Sequence, residues 1–367
     1  MRRVFVPLLL MLIFEDSLQD PASKYSRINT SNYPLNPKTF TGTIESNASQ
    51  LSNSSQTQPV INVSANVINH TAGIISTRII PFAYILAILI GIPSNVFVLA
   101  CLSGKKVLSS GILYFSLALS DLLLLFSLTF RVHYHLNNSD WIFGELACKL
   151  VTACFYGNIY CSIHAHMCIS VMRYFAVVHP FLYRTMRKRF CAIWMSLTIW
   201  VVFSIAMAPE FVVQQSFHVS GQELVTCHDI QPYEEASYQA LIPYRLSLIC
   251  IGFVFPSLVI AFIYGSIIYH LNRSSQDWKR YIKASTLVFV IFLVCFAPCN
   301  LLLFAHYVKL YTQRQYELYA YYRVAVCLCS FHSCLDPFLS YLLTKTSTSQ
   351  VKFRSFSSIP LKALSTI

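Results

Sequence analysis

Three polar side chains stand where this sequence is otherwise apolar. Asp121 ends the run Leu117-Ala-Leu-Ser-Asp121, Asp336 lies in Leu335-Asp-Pro337, and Asn95 lies in Gly91-Ile-Pro-Ser-Asn95. A carboxylate in such surroundings needs hydrogen bonds, a cation or a proton, because an isolated charge in a low-dielectric medium is very costly. Each is therefore a candidate for function, or for joining helices. The rest of the sequence does not read as an enzyme. It has no HExxH, GxSxG or P-loop pattern, and its Ser, His and Asp residues lack catalytic spacing. Metal chemistry finds little support either. No CxxC pair has a second partner at zinc spacing, and Cys327 and Cys329 fall within an apolar run. His164 and His166 point to different sides of one helix and make a poor metal pair.

The elements that must hold these groups are membrane helices. The chain has 367 residues, of which 55% are hydrophobic and only 11% charged. That is too little charge to cover a soluble surface. The apolar residues gather in long runs at about 79–102, 111–136, 146–178, 191–213, 242–270, 282–308 and 318–343. Runs of this length predict membrane spans, and backbone groups in lipid require a helix bundle. The fold class is an all-α membrane protein: a seven-transmembrane helix bundle with a disordered extracellular N-terminal tail.

The formal charge of +12 gathers in short loops, around Lys105 and Lys106, Arg184 to Arg189, Arg273 to Lys283, and Lys345 to Arg354. These alternate with mixed or acidic loops such as Glu210 to Glu235. That is the positive-inside pattern, not a nucleic-acid footprint. It places the N-terminus outside and the basic loops inside, as in a multi-pass protein of the plasma membrane whose surroundings are lipid. Pro209, Pro256, Pro298 and Pro337 lie within spans and predict kinks. A transporter would show internal repeats between halves, and none is found.

Before the bundle, Arg2, Arg3 and the apolar Val4 to Phe14 read as a signal peptide over residues 1–21. A Ser/Thr/Asn-rich tail follows, too polar to fold alone. Asn29, Asn47, Asn53, Asn62 and Asn69 head N-x-S/T sequons in that tail, and Asn137 heads one in an outer loop. Residues 79–343 form the bundle domain, and 344–367 a basic, Ser/Thr-rich cytoplasmic tail.

The order and spacing of Asn95, Asp121, Trp141, Cys148, Arg173, Trp200, Pro256, Tyr264, Phe296-Ala-Pro298 and Asp336-Pro337 resemble the rhodopsin-like G-protein-coupled receptors. A narrower resemblance, to proteinase-activated receptors, rests on Cys227-His-Asp-Ile230, Tyr134-His-Leu-Asn137, Trp141-Ile-Phe-Gly-Glu145, Phe155-Tyr156, Ala305-His-Tyr307 and Ser333-Cys-Leu-Asp-Pro-Phe338. The resemblance implies a Cys148–Cys227 disulfide. It also implies a ligand carried on the chain's own tail, exposed when a protease cuts there. Leu35-Asn-Pro-Lys38 resembles a site for thrombin or another trypsin-like serine protease. Cleavage after Lys38 would remove a propeptide, residues 22–38, and leave an extracellular tail, 39–78, beginning Thr39-Phe40-Thr41-Gly42. The pocket implied for that ligand comprises His228, Asp229, Glu234, Glu235, His306, Tyr307 and Tyr322. A heterotrimeric G protein is the implied partner inside.

Several positions depart from the family pattern. Met172 stands where an acid usually precedes Arg173. Ser340 stands where a tyrosine follows Pro337 by three residues. His332 replaces an asparagine beside the sodium pocket that the resemblance implies at Asp121, Ser162 and Asp336. These switch-site changes support a second reading. In it the chain is a non-signalling co-receptor that recruits a protease or forms a hetero-oligomer with another proteinase-activated receptor.

Overall fold

A computed structural model describes residues 40–44, 60–63, 73–103, 109–220, 224–232, 236–273, 279–313 and 318–357. The leader, the Lys38–Thr39 bond, Glu234, Glu235 and the sequons at Asn29, Asn47, Asn53 and Asn69 lie outside them.

The apolar runs fold as helices. The first rod opens with a π-helical turn, Ile75–Ile79, and continues as α1, Ile80–Ser103. α2 is Ser109–Leu136, α3 Gly144–Val178 and α4 Lys188–Ala206. The fifth rod, α5, runs through Ala236–Ile249, a π-helical turn Cys250–Val254, and Phe255–Asn272. α6 is Lys279–Gln313 and α7 is Leu318–Ser357. Among the described residues, six helices are long and apolar enough to cross a membrane. The seventh, α7, is more polar because it carries Arg323, His332 and Asp336, and it packs between α6 and α1.

Large apolar side chains such as Phe97, Leu258 and Phe262 point outward, each more than 60% exposed. Asn95, Asp121, Ser162 and Asp336 are buried within the bundle. This reversal of the soluble pattern is the one lipid requires.

Two boundaries differ from the sequence expectation. α7 does not stop at Leu343 but runs to Ser357, because no proline or glycine interrupts the chain before Pro360. Glu210, expected at the start of a mixed or acidic loop, lies in a short helix, Ala208–Val212, and is buried.

A small extracellular sheet was not anticipated. Its strands are β1 (Phe40–Ile44), β2 (Val60–Val63), β3 (Ser216–Val219), β4 (Val225–Cys227) and β5 (Ile230–Pro232), in the order β4-β3-β2-β1-β5. β3 and β4 form an antiparallel hairpin in the loop between α4 and α5. The tail pair β1–β2, also antiparallel, inserts between that hairpin and β5. β2 runs parallel to β3, and β1 runs parallel to β5 with Phe40 opposite Ile230. These tail segments have too little apolar surface to fold alone, but the loop supplies their missing edges. Ile61 is fully buried as a result.

Candidate ligand pocket and switch region

The loop is fastened at three points. The expected disulfide joins Cys148, near the start of α3, to Cys227 at the end of β4, with Cα atoms 5.7 Å apart. The Trp141-to-Glu145 segment is its platform. The Trp141 backbone N–H donates to Val225 O (2.8 Å), and Val225 N–H donates to Asp140 Oδ1 (2.8 Å). Glu145 accepts from the backbone of Gln215 (2.9 Å) and from both the backbone and hydroxyl of Ser216 (each 2.7 Å). A carboxylate thus accepts charge-assisted hydrogen bonds from donors at the start of β3.

Beneath the loop lies a polar pocket walled by Tyr84, Arg131, Tyr156, Asp229, Tyr319 and Tyr322. Asp229 is buried and accepts from the hydroxyls of Tyr134 (3.1 Å) and Tyr319 (3.0 Å), with Arg323 Nη2 3.6 Å away. Burial pushes the Asp229 carboxyl up, but the Arg323 guanidinium outweighs it and holds the group below the usual carboxylate value. Asp229 is therefore ionised at neutral pH. His228 adopts φ +65° and donates its backbone N–H to Gln215 O (2.8 Å), while Nδ1 lies 2.8 Å from Gln215 Oε1. Burial lowers its pKa to about 3, so it stays neutral.

The expected pocket residues come together in part. Asp229 and Tyr322 line the cavity, and His228 packs its ring against Tyr156 at 5.1 Å. His306 lies one layer behind, its ring 5.6 Å from Tyr319. Tyr307 accepts a long hydrogen bond from Arg245 (3.4 Å).

Sequence reasoning missed the cations. Arg131 lies 4.1 Å over the Phe155 ring. Arg245 grips Glu210 through two 2.7 Å bonds. Arg323 donates to Ser76 Oγ (2.7 Å), tying α7 to the start of the first rod. All three lie in helices, so the test that singled out Asp121 would have found them had it been applied to cations as well as acids.

Deeper in the bundle, Asn95 donates to Ser333 O (2.8 Å) and Gly91 O (3.0 Å), joining α1 to α7. Asp121 accepts from Asn158 (3.3 Å), and neither Asp121 Oδ2 nor Ser162 Oγ has a hydrogen-bond partner among the described residues. The third member of the expected sodium pocket, Asp336, has two imidazoles beside it. Asp336 Oδ1 lies 3.1 Å from both His166 Nε2 and His332 Nδ1. A hard alkali ion calls for oxygen donors, and here two imidazoles flank the carboxylate. Phe296 packs its ring 4.3 Å from His332, and Pro298 and Pro337 lie within α6 and α7. Towards the inner face, Met172 is buried and Arg173 donates to the Tyr114 hydroxyl, while Tyr264 packs on Phe289. The side chain of Ser340 lies outside the described residues.

Comparison with known proteins fits this bundle and loop. Residues 94–339 match the 7 transmembrane receptor (rhodopsin family) model. Proteinase-activated receptor 3 of Bos taurus is 42% identical over 271 residues, 74% of this chain and 72% of that protein. The chain belongs to the proteinase-activated receptors. Proteinase-activated receptor 3 of Homo sapiens is 39% identical over 273 residues, 74% of this chain and 73% of that one. Proteinase-activated receptor 2 of Mus musculus is 37% identical over 281 residues, 74% and 70% of the two chains. The protein is thus a multi-pass receptor of the plasma membrane and not an enzyme.

Of the expected glycosylation sites, Asn137 is exposed on the turn after α2 and Asn62 lies in β2.

Proposed function

We propose that this receptor is switched on by hydrolysis of its Lys38–Thr39 bond by thrombin or another trypsin-like serine protease, and that it signals to a heterotrimeric G protein. Hydrolysis converts a neutral amide into a carboxylate on the departing Lys38 and an ammonium on Thr39. That ammonium stays with the receptor, next to the aromatic Phe40. One observation carries the reading. The backbone of residues 40–42 pairs with β5, and Phe40 opposes Ile230, the residue directly after Asp229. The second residue of the proposed ligand is thus one register step from Asp229, the buried acid that an ammonium would seek. A tethered peptide has an effective concentration of about a millimolar, so a modest gain in charge pairing is enough to occupy the pocket.

The test places an epitope before Lys38 and follows its release together with intracellular calcium when thrombin or trypsin is added to cells. The expected result is epitope loss and a calcium rise, both abolished by Lys38→Ala. Equal loss from Lys38→Ala would defeat the proposed site.

The arrangement at Arg173 favours a second reading. Its neighbour Met172 offers no carboxylate, and the Tyr114 hydroxyl accepts from the guanidinium instead. A chain that is cut but does not signal would act as a co-receptor, presenting a protease to another proteinase-activated receptor. Epitope loss without calcium, restored by co-expressing a second receptor, identifies that case.

A further inference from the structure

His166 on α3 and His332 and Asp336 on α7 form a cluster that neither the pocket nor the tail uses. The three side chains are 8%, 1% and 2% exposed. One donor atom from each lies within 4.8 Å of the other two. Asp336 Oδ1 is 3.1 Å from His166 Nε2 and 3.1 Å from His332 Nδ1. The His332 ring is held edge-on to His166 at 4.7 Å and against Phe296 at 4.3 Å. Both of its nitrogens, Nδ1 and Nε2, are buried and neither makes a hydrogen bond of good geometry among the described residues.

We propose that this cluster is a binding site for a borderline divalent transition metal of the zinc class. Two ligands about 2.0 Å from a zinc ion at the tetrahedral angle lie about 3.3 Å apart. The two 3.1 Å separations match that spacing, and only the imidazole–imidazole pair must close. The donor set is two neutral nitrogens and one carboxylate, a combination that suits zinc and its neighbours rather than sodium, magnesium or calcium. His332 and Asp336 are one helical turn apart on α7, so they present donors on one face. His166 reaches the same point from α3. A bound ion would therefore bridge the two helices and resist any change in their separation.

The experiment uses the full-length receptor in detergent micelles, stripped of metal and bearing no polyhistidine tag. Co2+ serves as the optical probe and Zn2+ as the competitor. The proposal expects one Co2+ per receptor, visible ligand-field absorption of a four- or five-coordinate ion, and its displacement by Zn2+. Zn2+ should also raise the thermal unfolding temperature in 150 mM NaCl. His166→Gln and His332→Asn should each weaken binding by about 100-fold or more, and the unfolding midpoint in chelator shows whether each variant folds. If one fails to fold, the other with Asp336→Asn supplies the comparison. Unchanged affinity in the folded variants would overturn the site. So would an intense near-ultraviolet thiolate band, which would place the ion on cysteines. Stabilisation by Na+ but not Zn2+ would assign the cluster to the harder ion and overturn the proposal equally.

Discussion

At the scale of residues, the loop depends on two buried neighbours, His228 kept neutral by burial and Asp229 kept ionised by Arg323. His228 has a pKa lowered to about 3, against about 6.5 in an unfolded chain. Between those values the unfolded chain binds the extra proton, so stability falls as pH drops below 6.5. Acidifying from pH 7 to pH 5 should cost about 2 kcal/mol from this residue. Thermal unfolding across that range should show the loss, and His228→Gln should remove it. Asp229 acts in a lower window. Its carboxyl is held below the ordinary value by Arg323, so its contribution is present above about pH 4 and is lost as pH falls further. Glu210 and Arg245 form another buried pair. Removing one partner, as in Arg245→Ala, leaves an uncompensated charge and should cost about 3–5 kcal/mol in unfolding free energy. Replacing both, with Glu210→Leu and Arg245→Met, should recover most of that. The acids at Asp121 and Asp336 were legible because they interrupt apolar runs. Glu210 was not, because it falls just after Pro209 and reads as the first of several loop acids. The pairing of His166 with His332 was also hidden, since it joins residues 166 positions apart and only the α3–α7 contact brings them together.

At the scale of elements, α5 meets α3 through Gly252 in its π-helical turn. A Cβ at that position would lie 2.5 Å from the Tyr160 ring. Gly252→Ala should therefore force the helices apart and destabilise the receptor by about 1–3 kcal/mol, read as a lower unfolding temperature in detergent. The sheet makes a different demand. The tail pair β1–β2 fills the slot between β3 and β5, so its amides should exchange with deuterium more slowly than a polar tail predicts. Thr41→Pro removes a strand donor and bars the extended pairing. It should speed exchange in β5 as well as in β1, and no change in β5 would argue against the pairing. The helices were legible because lipid imposes a long, continuous apolar signal. The strands were not. Each has five residues or fewer, and three of the five belong to a loop about 160 to 190 positions away in sequence.

At the scale of the whole molecule, polar contacts form a chain from the outer face into the bundle. Arg323 touches both Asp229 and Ser76, α7 continues to Ser333 and Asp336, and those residues face α1 and α3. An ammonium arriving at Asp229 would compete with Arg323, the group that now compensates that acid. Charge delivered outside would thereby act on the helix that carries the inner cluster. A ligand shifts such an equilibrium only by its differential affinity for the two states. The uncut segment has no ammonium, and the cut one does. All of this depends on where the tail is opened. The most direct test is to treat the intact receptor with protease, label the new amino terminus chemically and sequence it by mass spectrometry. The expected terminus is Thr39-Phe40-Thr41-Gly42, appearing in step with activation. A terminus at Tyr25 or Ile28, after Lys24 or Arg27, with the Lys38–Thr39 bond intact in the activated receptor, would contradict it.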